Sequence, residues 1–340
     1  MQRSTAALAV TTALAVPALA AGGPAAADIA TAPAQPAQAA QTPPAAPRPA
    51  GGRVSIKVRG GQPTRRLRYV ARGGYVVVEG RSRPFVPGQV AALAIYRGGR
   101  LVATRRTPIK PAGAAGRARF RFRARRSGLV KLVIRHEATP AQGAFRSRAA
   151  RIRVISASAG QGARGTRVLL LQRGLRRLGF AVPVTGYYDP GTSRAVLAFR
   201  KTNGLGRDGF ATRRVFSLVL RNRGAFRPRF PRAGRHVEFD WSRQVLALIV
   251  KGRARRVYHA SSGKASTPTV FGTFRFYRKQ PGTNSHGMVH SNYFIGGYAI
   301  HGYPSVPTYP ASHGCIRVPI PNALDIFRSI RMGEQIFVYR

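Results

Sequence analysis

The sequence has few acidic residues and a single cysteine. Asp and Glu together number 9 in 340 residues, against 58 Lys and Arg, which gives a formal net charge of +49. So few carboxylates argue against an acidic calcium-binding loop and against a glycosidase, which needs two opposed acids in one cleft. A single cysteine, Cys315, excludes an intrachain disulfide. It is therefore a buried side chain, a link to another chain or a reactive thiol.

The excess of basic residues favours an anionic partner, such as nucleic acid, anionic lipid or an acidic cell-wall polymer. A solvated arginine-rich surface without a specific partner is the alternative. The sequence shows no zinc-finger, RNA-recognition or helix-turn-helix signature, so we predict no nucleic-acid partner.

Long apolar runs are lacking after the N-terminus. Residues 1–27 combine Arg3, a mostly apolar run over residues 6–20 and Ala-x-Ala sites, a pattern typical of a secretory signal peptide. An uncleaved membrane anchor is the alternative, although the run is short for a span. We therefore expect a secreted protein of the cell wall. Residues 28–52 are rich in Ala and Pro and predict an extended linker.

Residues 53–156 have the period of β-strands. Val54 and Ile56 are spaced by two, as are Tyr75 and Val77. Turns that contain glycine or proline separate such runs at intervals of about 8–12 residues, which predicts an Ig-like β-sandwich. The segment contains no catalytic cluster, so we interpret it as a spacer or binding module.

Residues 158–222 change to a helical period. Thr166 is a candidate N-cap, Gly179 a candidate helix end, and Asp189 before Pro190 is an N-cap and N1 pair. The apolar and turn positions include Gly165, Val168, Leu171, Gln172, Leu175, Leu178, Gly186, Tyr187, Tyr188, Asp189, Thr192, Ala195, Val196, Phe199, Asn203, Gly204, Asp208 and Gly209. This pattern resembles the three-helix peptidoglycan-binding domain, with Arg200 where the family commonly has Gln.

A basic junction with two prolines, residues 221–234, follows this module. Two modules linked in this way would raise the local concentration of substrate at a catalytic site. We therefore expect a fragment of residues 158–222 to bind cell wall alone, and a fragment from residue 235 to act on soluble peptides.

Residues 235–340 return to a period of two, with one helix near residues 322–331, so a mostly β domain is expected. Gly314 precedes Cys315, and a glycine there lets substrate approach the backbone and exposes N–H groups to a developing oxyanion. A thiol with a pKa of about 8.5 needs an activating base. His301 and His313 are both candidates, and their spacing does not choose between them.

The region around the thiol resembles the YkuD-type L,D-transpeptidase catalytic domain. The matching positions are His301, Ser312, His313, Gly314, Cys315, Ile316 and Arg317, with Ser261, Ser262, Gly263, Lys264, Thr267, Pro268, Thr269, Gly272, Thr273 and Phe274 upstream. The resemblance spans about residues 235–340, with Ser262 where Thr is usual. It implies a cysteine enzyme of peptidoglycan synthesis that uses no cofactor and no structural metal.

The resemblance also implies roles for individual residues. Cys315 would be the nucleophile and His301 the base, with the carbonyl of Gly302 orienting the imidazole. The oxyanion site would be lined by His313 and by N–H groups around Gly314, beside Ser312. Arg317, Tyr293 and Tyr298 would bind substrate.

The reaction implied is attack on the third residue of a tetrapeptide stem, loss of D-Ala and transfer to an amine, which makes a 3→3 crosslink. Water as acceptor would instead make an L,D-carboxypeptidase, and a wall-binding protein without activity is a further alternative. A zinc hydrolase is disfavoured, because Gly287 makes a helix that pairs His286 with His290 doubtful. We interpret residues 279–298 as a mobile lid over the thiol.

Overall fold

The structure is a computed structural model that describes residues 49–65 and 67–340. The expected signal peptide and nearly all of the expected linker lie outside these residues. The described residues form one compact unit. None of the helices in the described residues combines the length and apolarity that a membrane crossing requires.

The N-terminal part of this unit is a pair of β-sheets. The strands are β1 (Arg53–Arg59), β2 (Gln62–Pro63), β3 (Arg68–Ala71), β4 (Tyr75–Arg83), β5 (Val90–Arg97), β6 (Arg100–Pro108), β7 (Lys110–Ala112), β8 (Ala115–Arg123), β9 (Gly128–His136), β10 (Phe145–Arg146) and β11 (Ala150–Ile155). One sheet has the order β1-β4-β8-β7, and the other has the order β2-β3-β11-β9-β5-β6 with β10 beside β9. The two sheets enclose one apolar core, which gives the expected β-sandwich.

The alternation of β8 shows why these strands form. Ala118, Phe120 and Phe122 are buried in the sandwich core, and the arginines between them are exposed. On the neighbouring strand the inward residues are Val76 and Val78, so the Tyr75 and Val77 pair read from the sequence lies on the outer face.

Three helices follow: α1 (Thr166–Arg177), α2 (Pro190–Thr202) and α3 (Arg213–Leu220). The Asp189 carboxylate accepts a hydrogen bond from Thr192 N at 2.7 Å, the expected N-cap. The expectation for Thr166 was wrong, because Gly165 is the N-cap residue of α1 and no side chain caps it. Gly165 takes this place at a φ of 98°, a left-handed conformation that favours glycine.

The C-terminal region contains two further sheets and one helix. Its elements are β12 (His236–Asp240), β13 (Val245–Val250), β14 (Arg253–His259), β15 (Gly272–Arg275), β16 (Arg278–Thr283), β17 (Val289–Ile295), β18 (Tyr298–Tyr303), β19 (Ile316–Pro319), α4 (Ile320–Ser329) and β20 (Gln335–Tyr339). The sheet orders are β14-β13-β12-β20-β15 and β16-β17-β18-β19. Residues 279–298, interpreted above as a lid, are mainly the hairpin β16–β17, which is paired to β18.

Residues 221–234, expected to be a simple link between two modules, are packed onto the C-terminal region. Arg229 N and Phe230 N each donate to the carboxylate of Glu238 at 2.9 Å, and Phe226 is buried. The outward side chains of β13 and β14 share one apolar core with the three helices. Those side chains are Val245, Ala247, Ile249 and Val257. The helical module is therefore packed against the sheet that contains β13 and β14.

Candidate active site

Cys315 lies just before β19, beside β18. The parallel register places His301 opposite Arg317 and Ile300 opposite Ile316. Ala299 N donates to Sγ of Cys315 at 3.4 Å, and the thiol donates to the carbonyl of Gly297 at 3.6 Å. The thiol is half-buried. The register thus brings the thiol to Ala299, two residues along β18 from His301.

The imidazole of His301 is held in one orientation. Its Nδ1 donates to the carbonyl of Gly302 at 3.0 Å, which leaves Nε2 as the free acceptor, and the ring is 3% exposed. An edge contact with the Tyr303 ring at 5.8 Å supports it. The described residues contain no direct hydrogen bond between Sγ and this imidazole. Apo sites are often looser than the reacting complex.

His313 has different surroundings. Residues 313–315 form a bend, so His313 is exposed and does not share a strand face with Cys315. Of the two candidate bases, only His301 is buried and fixed by a backbone carbonyl.

The turn before the thiol requires glycine. Gly314 has a φ of 114°, and a Cβ there would clash with the ring of Tyr298. Ser312 Oγ donates to the carbonyl of Cys315 at 2.5 Å and accepts from Gly314 N at 3.1 Å. The Gly314 N–H is therefore already engaged inside the turn, which leaves the Cys315 N–H as the backbone donor for the oxyanion role.

Hydrogen bonds from Thr269 and Gln244 support the turn, and the sequence analysis assigned neither residue a role. The buried hydroxyl of Thr269 donates to the carbonyl of Gly314 at 2.6 Å and accepts from Gly263 N at 2.8 Å. Gln244 holds Ser262 through both its amide atoms, at 2.7 and 2.8 Å. The Thr-Pro-Thr motif that ends at Thr269 could have indicated its role, whereas no motif surrounds Gln244.

The remaining predicted site residues lie around β18. The guanidinium of Arg317 stacks on the Tyr303 ring at 4.1 Å, and Tyr298 covers Gly314. Tyr293 is paired with Ala299 across β17 and β18, but its ring is buried and its hydroxyl donates to Gln280 at 2.9 Å. Tyr293 therefore supports the hairpin, and its hydroxyl is already bonded within it.

Burial sets the charge state of the Cys315 thiol and of the His301 imidazole. Desolvation raises the pKa of the Cys315 thiol, although the Ala299 N–H and Arg317 oppose this change. Desolvation lowers the pKa of His301 to about 4, with Arg317 adding to it and the Gly302 carbonyl opposing it. The resting pair is therefore a neutral thiol and a neutral imidazole near pH 7.

The helical module contacts the loop that joins His301 to Cys315. Lys201 Nζ donates to the carbonyl of Ala260 at 3.0 Å and to Nδ1 of His259 at 2.9 Å. His259 Nε2 in turn donates to the carbonyl of Val306 at 2.8 Å, and Arg207 Nη1 donates to that of Thr308 at 2.6 Å. Arg207 directly, and Lys201 through His259, thus hold the loop that precedes the thiol.

The histidines of the zinc alternative are dispersed. His286 is exposed, and the ring of His290 packs on Phe327 at 5.4 Å. Across the described ranges, no group of three or more His, Cys, Asp or Glu side chains has the arrangement of a metal site.

Comparison with known proteins identifies two families along the chain. Residues 234–338 match the family model of the L,D-transpeptidase catalytic domain, YkuD, and residues 164–218 match that of the peptidoglycan binding domain. No curated protein matches the chain.

Several solved L,D-transpeptidase structures are similar to parts of the chain. An L,D-transpeptidase from Xylanimonas cellulosilytica is 34% identical, covering 54% of this chain and 98% of its own, with a TM-score of 0.49. An L,D-transpeptidase from Stackebrandtia nassauensis is 17% identical, covering 54% and 96%, with a TM-score of 0.34. One from Mycobacterium tuberculosis is 17% identical, covering 32% and 58%, with a TM-score of 0.29.

The family models and the sequence identity to the Xylanimonas protein together define the class: a peptidoglycan-binding module followed by a YkuD catalytic domain. The chain belongs to the L,D-transpeptidase family.

Proposed function

We propose that this protein is a cysteine-dependent L,D-transpeptidase that crosslinks peptidoglycan through a thioester on Cys315. The observation that carries the proposal is the pairing of β18 with β19, which places a half-buried thiol beside the strand of an imidazole whose Nδ1 is tied to Gly302. We divide the chain into a signal peptide (1–27), linker (28–52), β-sandwich (53–156), binding module (158–222) and catalytic domain (235–340). The protein acts outside the cytoplasm, in the cell wall.

The first half-reaction starts from neutral groups. As Sγ attacks the carbonyl carbon of the third stem residue, its proton passes to Nε2 of His301, so no separate thiolate is needed. We assign stabilisation of the oxyanion to the Cys315 N–H and to His313, which is exposed in the same bend. The C–N bond then breaks, D-Ala leaves with the proton from the imidazolium, and a C–S thioester remains.

The second half-reaction reverses the proton path. An amine of a neighbouring stem attacks the thioester, His301 takes its proton, and Sγ leaves and is reprotonated. The thioester keeps the energy of the cleaved peptide bond, so no nucleotide is consumed. Arg317 and Tyr298 border the thiol turn, and we assign them to substrate binding.

The test is mass analysis of muropeptides after incubation with the full chain. Wild type should give 3→3 dimers and free D-Ala, and Cys315→Ser should give neither while its melting temperature is unchanged. His286→Ala, an exposed histidine of the same domain, is the matched control and should retain full activity. Full activity in Cys315→Ser would overturn thiol catalysis.

The same analysis separates the alternatives. Tripeptide stems without dimers would show water as acceptor, and hence an L,D-carboxypeptidase. Unchanged stems, with no acyl mass added to the protein, would leave a wall-binding protein without activity.

A further inference from the structure

A cleft of about 820 Å³ lies between the β-sandwich and the helical module. Arginines from both sides line it: Arg119, Arg121, Arg123, Arg213, Arg214 and Arg221. The β3–β4 turn adds Arg72. No Asp or Glu of the described residues is among the lining residues, although elsewhere the scarce carboxylates are paired with arginines.

The arginines from the sandwich form a regular row. Because Ala118, Phe120 and Phe122 fill the core, every second residue of β8 from Arg117 onward points outward and is an arginine. Residues two apart on a strand are separated by about 6.8 Å. The guanidinium of Arg121 stacks on Tyr75 at 4.0 Å, and the Tyr75 ring is 54% exposed. The row therefore presents evenly spaced cations, one of them supported by an exposed aromatic ring.

Two cations from different modules converge where the row meets the helices. Arg123 Nη2 and Arg213 Nη1 lie 4.0 and 3.5 Å from the position that a Cβ on Gly73 would occupy. Arg123 is fixed there, because its Nε donates to the carbonyl of Gly73 at 3.0 Å. Glu79, opposite Arg119, is already paired with Arg59 at 2.9 Å. Like charges held together without a carboxylate repel, and a bound anion would relieve this repulsion.

We propose that this arginine cleft binds a linear polyanion with a phosphodiester in each repeat, a phosphate-bearing polymer of the cell envelope. The guanidinium fork fits phosphate oxygens in a bidentate manner, and the even spacing suits a ligand with regularly repeated charge. The site is separate from the thiol. It would hold the enzyme on a second wall polymer while the helical module faces peptidoglycan.

The test measures binding of the full chain to fluorescein-labelled poly(glycerol phosphate) by fluorescence polarisation at about 0.15 M salt, where distant charges are screened. The cleft variant is R121Q/R213Q/R214Q, whose three side chains make no hydrogen bonds within the described residues. Arg123 is kept because of its bond to Gly73. The matched control, R100Q/R105Q/R255Q, removes three exposed arginines outside the cleft and the same charge.

We expect the cleft variant to bind at least about 10-fold more weakly and the control to change less than about 3-fold. Polyglutamate of the same charge should compete poorly. Equal losses in both variants would overturn the proposal, because binding would then follow net charge alone. Stronger competition by polyglutamate, or by a single-stranded oligonucleotide, would also overturn it and would assign the cleft to carboxylate or nucleic-acid ligands. Because only binding is measured, these outcomes are independent of thiol catalysis.

Discussion

At the residue scale, the neutral state of His301 determines how the reaction depends on pH. A base must be unprotonated, so activity is lost as pH falls through its pKa. Burial lowers the pKa of His301 to about 4, so the acid limb of kcat/KM should have its midpoint near pH 4 and not near 6.5, the value of free histidine. The rate of Cys315 acylation by a soluble tetrapeptide, measured across pH 3–8, gives this midpoint.

A variant of Arg317 tests the same prediction, because the charge of Arg317 helps to lower the pKa of His301. Arg317→Gln should move the acid limb to higher pH, whereas Arg255→Gln, at an exposed position, should leave it in place. His301→Ala should lower the rate by about 10²–10⁴, the usual range for general base catalysis, and His313→Ala should lower it less. An acid limb that stays near pH 6.5 in the wild type, or the reverse order of the two histidine variants, would show that His301 is not the base.

Gly314 provides a second test at this scale. Gly314→Ala should lower acylation at least about 10-fold and destabilise the fold by about 1–3 kcal/mol, because its φ of 114° strains other residues. Gly297→Ala is the matched control, since a Cβ there meets nothing within 4 Å. Normal acylation in Gly314→Ala would show that the turn tolerates a side chain.

The residues that we propose to react could be singled out in the sequence because their chemistry is local. Cys315, His301 and Gly314 lie in one short stretch, and the types of side chain identify it. The roles of Thr269 and Gln244 could not be predicted, because their hydrogen bonds join positions far apart along the chain. The engagement of the Gly314 N–H by Ser312 depends on a bend that a strand pattern does not show.

At the element scale, the loop over residues 304–311 depends on another module for its position. Lys201→Met would leave Nδ1 of the buried His259 without its partner and loosen the bond to Val306, and an unsatisfied buried group costs about 1–3 kcal/mol. We expect kcat for acylation by a soluble tetrapeptide to fall about 10-fold, with a smaller change in KM.

Two measurements distinguish this positioning effect from general destabilisation. Hydrogen exchange should increase in residues 304–311 of Lys201→Met, and Arg207→Gln should show the same local change, since it loses the bond to Thr308. Lys57→Met, at an exposed position of β1, should behave as wild type. Unchanged kcat and exchange in both module variants would show that the loop holds its position without them.

The periodicity of apolar residues predicted which segments are strands or helices better than it predicted which strands pair. The sandwich strands and three helices follow from periods of two and 3.6, which depend only on which face is buried. No strands were predicted within residues 279–298. Their pairing to β18 depends on backbone hydrogen bonds that composition does not show.

At the scale of the whole molecule, the apolar run of β13 shows that burial can be predicted from a sequence without its packing partners. Val245–Val250 is buried on both faces, and the sequence could not tell what covers each face. One face packs within the catalytic domain, through Leu246 and Leu248. The other packs against the helices of the binding module. The effective-concentration argument for tethered modules therefore does not describe this molecule, because the second module is part of the core.

This shared core reverses the expectation for the catalytic fragment. A fragment of residues 235–340 would expose Val245, Ile249 and Val257, each worth about 1.5–3 kcal/mol when buried. A loss of roughly 5 kcal/mol or more is comparable to the whole stability of many domains. We therefore expect this fragment to be insoluble or to unfold at low urea, whereas 158–340 should unfold cooperatively at a midpoint close to that of 49–340. Urea titration of the three fragments by circular dichroism measures the difference. A soluble 235–340 fragment with the midpoint of 158–340 would show that the helices contribute no stability to the catalytic sheet.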